Sequence, residues 1–157
     1  MKTAIFLLIN ITLILGLVSC KAGKTAMEDS KFVLLKVADD PTISFRVWFK
    51  VGSQNDPKGK EGLAMMTALM LSEGSTHQNS YDEILDKLYP IASSYSSKVD
   101  KEMTVIFGRT HKDNLDVFLP LFTQAILHPA FKQEDFERIK SNLLNFLEKD
   151  LRYANDE

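Results

Sequence analysis

Apolar positions along the chain fall into blocks of different period. In Ile43 to Val51 (ISFRVWFKV), Ile43, Phe45, Val47, Phe49 and Val51 alternate with Ser44, Arg46, Trp48 and Lys50. A period of two puts one set of side chains on the core and predicts a half-buried strand. Phe32 to Ala38 (FVLLKVA) predicts another, cut off by the turn-like Asp39-Asp40-Pro41. Gly52 to Lys60 (GSQNDPKGK) reads as a loop, and Gly62 to Ser72 as a helix with Gly74 as its stop. Ser80 to Tyr89 is a second helix, opened by Ser80 with Glu83 three residues on, the spacing of a capping box, and followed by Pro90. Ile91 to Val99 and Met103 to Arg109, joined around Asp100-Lys101, predict two more strands. Asn114 to Leu127 and Glu134 to Arg152 predict two longer helices, separated by His128-Pro129. The order β-β-α-α-β-β-α-α implies an α+β fold, a mostly antiparallel sheet with helices packed on one face.

Composition narrows the class without changing that picture. The chain has 157 residues, 45% hydrophobic and 25% charged, the balance of a globular domain. Its net charge of −2 gives no electrostatic case for nucleic acid, which usually needs a basic face.

The amino terminus stands apart. Lys2 is the only charge before Lys21, and Ala4 to Val18 is almost wholly apolar. That run is shorter than the roughly 20 residues a membrane-spanning helix needs. A basic start, a short apolar run and small residues at its end describe a secretory signal peptide. Its end, Leu17-Val18-Ser19-Cys20, resembles a bacterial lipobox, which implies lipidation of Cys20 and removal of residues 1–19. Cys20 is also the only cysteine, so no intramolecular disulfide forms. Lys21 stands where an inner-membrane retention signal would favour aspartate, which points to a bacterial envelope protein anchored in the outer membrane and facing the periplasm. Residues 20–30, small, polar and charged, suit a tether. Residues 31–157 are then the folded domain.

Within that domain, Val47 to Ala64 (VWFKVGSQNDPKGKEGLA) resembles the amino-terminal signature of the pitrilysin/insulinase zinc peptidases, which include the mitochondrial processing peptidase subunits. In that family W-x-x-x-G-S is followed by N-[ED]-P-x-G-x-x-G-L-A and then the inverted zinc motif H-x-x-E-H. Leu71 to Thr76 (LSEGST) is similar to the family's L-x-x-G-T, and His128-Pro129-Ala130-Phe131 to its N-P-x-F; Phe136 to Lys140 (FERIK) is also family-like. The resemblance runs from about Phe32 to the carboxyl end and implies a partial amino-terminal domain of this fold.

The chemistry does not follow. The family's first histidine falls on Met65, its glutamate on Ala68 and its second histidine on Leu69. Zinc needs two imidazoles one helical turn apart on one face, with a carboxylate beside them to take a proton from metal-bound water. Met65 and Leu69 keep the spacing but offer a thioether and a hydrocarbon, and Ala68 accepts no proton. The third family ligand, a glutamate in the last helix, falls on Asn145 or Phe146, with Glu148 rotated off that face. Met65, Ala68, Leu69 and Phe146 are therefore relic positions. The resemblance implies zinc as the family's cofactor, but its ligands are absent here and no metal or catalytic residue is assigned. The expectation is a non-catalytic domain that binds peptide or pairs with a zinc-containing peptidase subunit. The alternative is a zinc-dependent metalloendopeptidase completed by another chain or using an unrecognised centre.

Other chemistry is thinner. His77, His111 and His128 lie in or beside predicted loops with no ligand spacing to one another. Met65, Met66 and Met70 could suggest a soft Cu(I) site, but methionines on an apolar helix are core filler. Ser93 to Ser97 reads as a strand with polar positions toward solvent; in the family such a strand lies beside the cleft and can pair with a peptide by strand addition. Glu134, Asp135, Glu137, Arg138 and Lys140 put carboxylates in the first turn of the last helix, where they complement its dipole. Domains of the family are longer and come in pairs, so the sequence implies a missing second domain, or a separate chain supplying it. Apolar helix faces left uncovered predict marginal stability or association.

Overall fold

The computed structural model describes residues 33–155. The signal peptide, Cys20 and the tether expected from the sequence lie outside the described residues. Residues 33–37, taken by themselves, have no regular secondary structure, and Val33, Leu34, Leu35 and Val37 are exposed. The strand expected over Phe32 to Ala38 is thus absent from its described part. An apolar run becomes a strand only where a second strand answers its N–H and C=O groups, and no described ladder includes these residues.

The remaining strands are β1 (Thr42–Phe49), β2 (Ser94–Val99) and β3 (Thr104–His111), forming a three-stranded antiparallel sheet in the order β1-β3-β2. Phe45 and Val47 of β1 stand opposite Gly108 and Ile106 of β3, and Tyr95 and Ser97 of β2 meet the same two residues from the other side. One face is thereby set toward the helices, as the alternation in β1 predicts. Trp48, on the opposite face, is 58% exposed. β2 starts three residues later than the sequence implies. Pro90 sits in a 3-10 turn over Tyr89–Ile91, and Ala92 takes a positive φ of 48° before the strand begins.

Four helices follow the expected order among the described residues: α1 (Leu63–Glu73), α2 (Tyr81–Leu88), α3 (Leu115–Leu127) and α4 (Gln133–Asn155). At α2 the capping box forms as read. Ser80 Oγ accepts from the Glu83 N–H, and the Glu83 carboxylate accepts from the Ser80 N–H at 2.7 Å. The Ser80 N–H and hydroxyl, both donating to it, hold the Glu83 carboxyl below its ordinary value. Ala68 of α1, Ile84 and Leu88 of α2, Ile106 of β3 and Phe118, Leu121 and Phe122 of α3 form the buried core. Phe118 and Phe122 stack with centroids 5.7 Å apart, and Phe45 and Tyr95 close over them from the sheet. Among the described residues every buried side-chain polar atom has a partner, and no helix is long and apolar enough to cross a membrane.

Candidate functional site

The site is organised around α1, and both of its ends are tied down by backbone-directed contacts. At the amino-terminal end, the Asn55 side-chain oxygen accepts from the Gly52 N–H at 3.0 Å. The N–H groups of Ser53 and Gln54 donate to the carbonyls of Asp100 and Lys101 in the β2–β3 turn, each at 3.0 Å. Gly52 permits that approach, since a Cβ there would lie 2.4 Å from the Asp100 carbonyl oxygen. The Asp56 carboxylate then accepts from the N–H groups of Gly62 and Ala64, both at 2.8 Å. Helix starts leave such N–H groups without partners, and a carboxylate there also meets the positive end of the dipole. The N-D-P portion of the signature is thus a brace for α1.

At the other end α1 stops against its own last turn. A Cβ on Gly74 would lie 2.4 Å from the Met70 carbonyl oxygen, so the stop rests on close approach, φ being an ordinary −97°. The next residues are bound to the α3–α4 connection. Thr76 bridges to Pro129, the His77 N–H donates to the His128 carbonyl at 3.1 Å, and the Ala130 N–H donates to the Ser75 carbonyl at 2.9 Å. The two family-like segments L-S-E-G-S-T and H-P-A-F are therefore spatial neighbours.

Asp135 completes this latch. Its side chain is almost wholly buried, accepts from the Ser75 N–H at 2.8 Å and pairs with Arg138 at 3.0 Å. Burial pushes its carboxyl up, but the Ser75 and Arg138 donors outweigh that and leave it below the ordinary aspartate range. Arg138 also lies over the Tyr81 ring, 4.2 Å from its centroid, and donates to the Glu73 carbonyl. The sequence reading of these charges as complements to the helix dipole misses this. No periodic signal marks one aspartate in an acidic first turn as the buried one.

Between its braced ends, α1 carries three of the four positions that the sequence resemblance marks as relics. Met65 and Leu69 are half-buried one turn apart, as the spacing requires. Ala68, at the place of the family's proton acceptor, is 1% exposed and belongs to the hydrophobic core. Phe146, at the third ligand's register, is 59% exposed on α4. The geometry of α1 supports a helix-borne pair of ligands, but the groups present cannot hold zinc. Among the described residues no cluster of three or more His, Cys, Asp or Glu side chains is arranged to hold a metal ion. His77 and His128 are exposed on segments that the backbone pairs, a proximity the sequence does not disclose. His111 lies elsewhere, at the end of β3, its Nδ1 3.4 Å from the Asp113 carboxylate.

Beside α1 lies β2, an outer strand of the sheet. Ser72 Oγ and Ser97 Oγ share a hydrogen bond of 2.9 Å that fastens helix to strand. No backbone group of Ser94–Val99 bonds to a described residue outside β3. The outer row of N–H and C=O groups is thus open, the condition for strand addition. Burial, followed by the neighbouring Tyr81, pushes the Tyr95 hydroxyl up to about 12, so it stays neutral on the inner face of this strand.

No curated protein sequence matches the chain. Among solved structures it is similar to a peptidase M16 inactive domain from Pseudomonas fluorescens, at 25% identity and a TM-score of 0.62, covering 73% of this chain and 28% of that one. It is also similar to a protease from Helicobacter pylori, at 26% identity and a TM-score of 0.56, covering 62% of this chain and 23% of that one. The chain therefore spans between 23% and 28% of the length of those two proteins. The profile of the insulinase family, peptidase family M16, matches residues 31–151. Because that match takes in both braces of α1, the relic positions between them and most of α4, the chain belongs to the insulinase family of peptidases.

Proposed function

We propose that this chain is a non-catalytic peptidase-like domain. It binds extended peptide along the outer edge of β2 and works beside a zinc-containing subunit that performs the cleavage. The observation that carries this reading is Ala68. The place of the proton acceptor is built into the hydrophobic core, between a thioether and a hydrocarbon where zinc would require two imidazoles. The similarity to a domain described as inactive supports it.

Zinc titration and a fluorogenic peptide assay on the isolated chain test the reading. The expected result is no stoichiometric zinc and no cleavage, with peptide binding retained. Stoichiometric zinc together with chelator-sensitive cleavage by the isolated chain would overturn it in favour of a working metalloendopeptidase.

The Leu17 to Cys20 pattern supports a further part of the proposal, anchoring of the chain to the bacterial envelope through a lipid on Cys20, with the domain facing the periplasm. Metabolic labelling with a fatty-acid analogue checks this. The native chain takes up label and Cys20→Ser takes up none.

A further inference from the structure

We infer that the outer face of the sheet is a docking surface for an anionic lipid bilayer. This goes beyond the anchoring through Cys20 proposed above and stands without it, because it rests on the strands alone.

The helices cover one face of the sheet, packing on Phe45, Val47, Tyr95 and Val99. The register fixes what the other face carries. In successive rows across it, Ser44, Arg109 and Ser94 are followed by Arg46, Phe107 and Ser96, and then by Trp48, Val105 and Lys98. The solvent face of an antiparallel sheet is ordinarily polar, and neighbouring strands favour opposite charges across from one another. Here Arg46, Lys98 and Arg109 are exposed, and β1, β2 and β3 contain no aspartate or glutamate. Arg46 lies over the Phe107 ring, 5.8 Å from its centroid, and Val105 is buried between Trp48 and Lys98. The cations thus surround an aromatic and aliphatic centre. Acids stand only beyond the strand ends. Asp100 is 3.8 Å from Lys98, but both side chains are well exposed and such a pair is worth little.

Trp48 says what fits this face. An indole is favoured where hydrocarbon meets headgroups, and lysine or arginine beside it is drawn to anionic lipid. Phe49, Val51 and Met103, exposed where β1 ends beside the β2–β3 turn, widen the apolar part at that end. A protein interface is the poorer match, since lysine is depleted there, whereas a headgroup layer takes lysine and arginine alike. Docked in this way, the sheet turns the helix layer away from the bilayer.

Trp48 also reports its own surroundings, because the chain has no other tryptophan. The full chain is mixed with vesicles of phosphatidylglycerol and phosphatidylcholine, or of phosphatidylcholine alone, each containing lipid brominated near the headgroup. The apolar run of residues 4–18 can hold the chain to either vesicle, so the readout is quenching of Trp48 rather than sedimentation. The expected result is blue-shifted, strongly quenched emission with phosphatidylglycerol and about tenfold less quenching with phosphatidylcholine alone. Arg46→Glu with Lys98→Glu, its fold verified by circular dichroism, is expected to lose quenching to the same degree. Lys132→Glu with Lys140→Glu, an equal change of net charge on and just before α4, is expected to keep it. Cys20→Ser is expected to behave as the native chain does.

Equal quenching on both vesicles, quenching on neither, or an equal loss in the Lys132 and Lys140 variant overturns the inference. A blue shift without vesicles that grows with protein concentration also overturns it, since that assigns the face to a second copy of the chain.

Discussion

The two ends of α1 and its middle have met different fates. Its ends are held by contacts to backbone atoms: Asp56 on two N–H groups, Gly74 against the Met70 carbonyl and Asp135 on the Ser75 N–H. Its middle packs through Met65, Ala68 and Leu69, the positions where the sequence resemblance would set the zinc-peptidase residues. Backbone-directed contacts define where a helix begins, ends and docks, so they persist in a scaffold whatever it does. A metal ligand answers only to the metal. The contrast also runs inside the middle itself, because Ala68 is core while Met65 and Leu69 are half-buried.

The largest effect expected from breaking this contrast is at Ala68. Ala68→Glu restores the family residue but buries an unpaired carboxylate where only an alanine fits. It should cost about 4 kcal/mol or more in urea unfolding. Met65→His or Leu69→His, at half-buried sites, should each cost about 1 kcal/mol. Equal costs at all three positions would show that Ala68 is no more a core residue than its neighbours.

Next comes the latch. Asp135→Asn keeps the shape but loses the charge that the Ser75 N–H and Arg138 share, and should cost about 2 kcal/mol at neutral pH. Its pH dependence has a definite sign. The folded carboxyl lies below the ordinary value, so its contribution is full above that range and disappears as the pH falls through the folded value. The difference in urea midpoint between native chain and Asp135→Asn should therefore be constant at neutral pH and shrink in acid. A difference that grows in acid would assign the latch to another group.

The smallest effect belongs to Phe146. At 59% exposure it contributes little to packing, and Phe146→Ser should change stability by no more than about 0.5 kcal/mol. A larger loss would mean that this relic position is covered in solution.

Much of this architecture is legible in the sequence where the signal is local. The alternation of β1, the capping box at Ser80, the glycine stop at Gly74 and the β2–β3 hairpin each depend on neighbouring residues, and each forms close to where the pattern places it. The expected strand over Phe32 to Ala38 fails because pairing is a property of two segments, and composition describes only one. The start of β2 shifts because Pro90 favours a 3-10 turn that the apolar count ignores. At the site, Met65, Ala68, Leu69 and Phe146 are relic positions by resemblance, and the structure adds their unequal burial. Asp135 stays hidden for another reason. Its role depends on Ser75, 60 residues away, and nothing in an acidic first turn distinguishes a solvated carboxylate from a latched one.

That separation of 60 residues has a bearing on how the chain acquires its structure. The Ser75 amide lacks its carboxylate partner in any partly folded chain in which α4 has not docked. Contacts that close long loops incur their entropy cost before any packing rewards them, which makes them late and slow. The latch is accordingly expected among the later contacts to form. An Asp135 substitution should lengthen the time the chain spends vulnerable to proteases as well as weaken the finished protein.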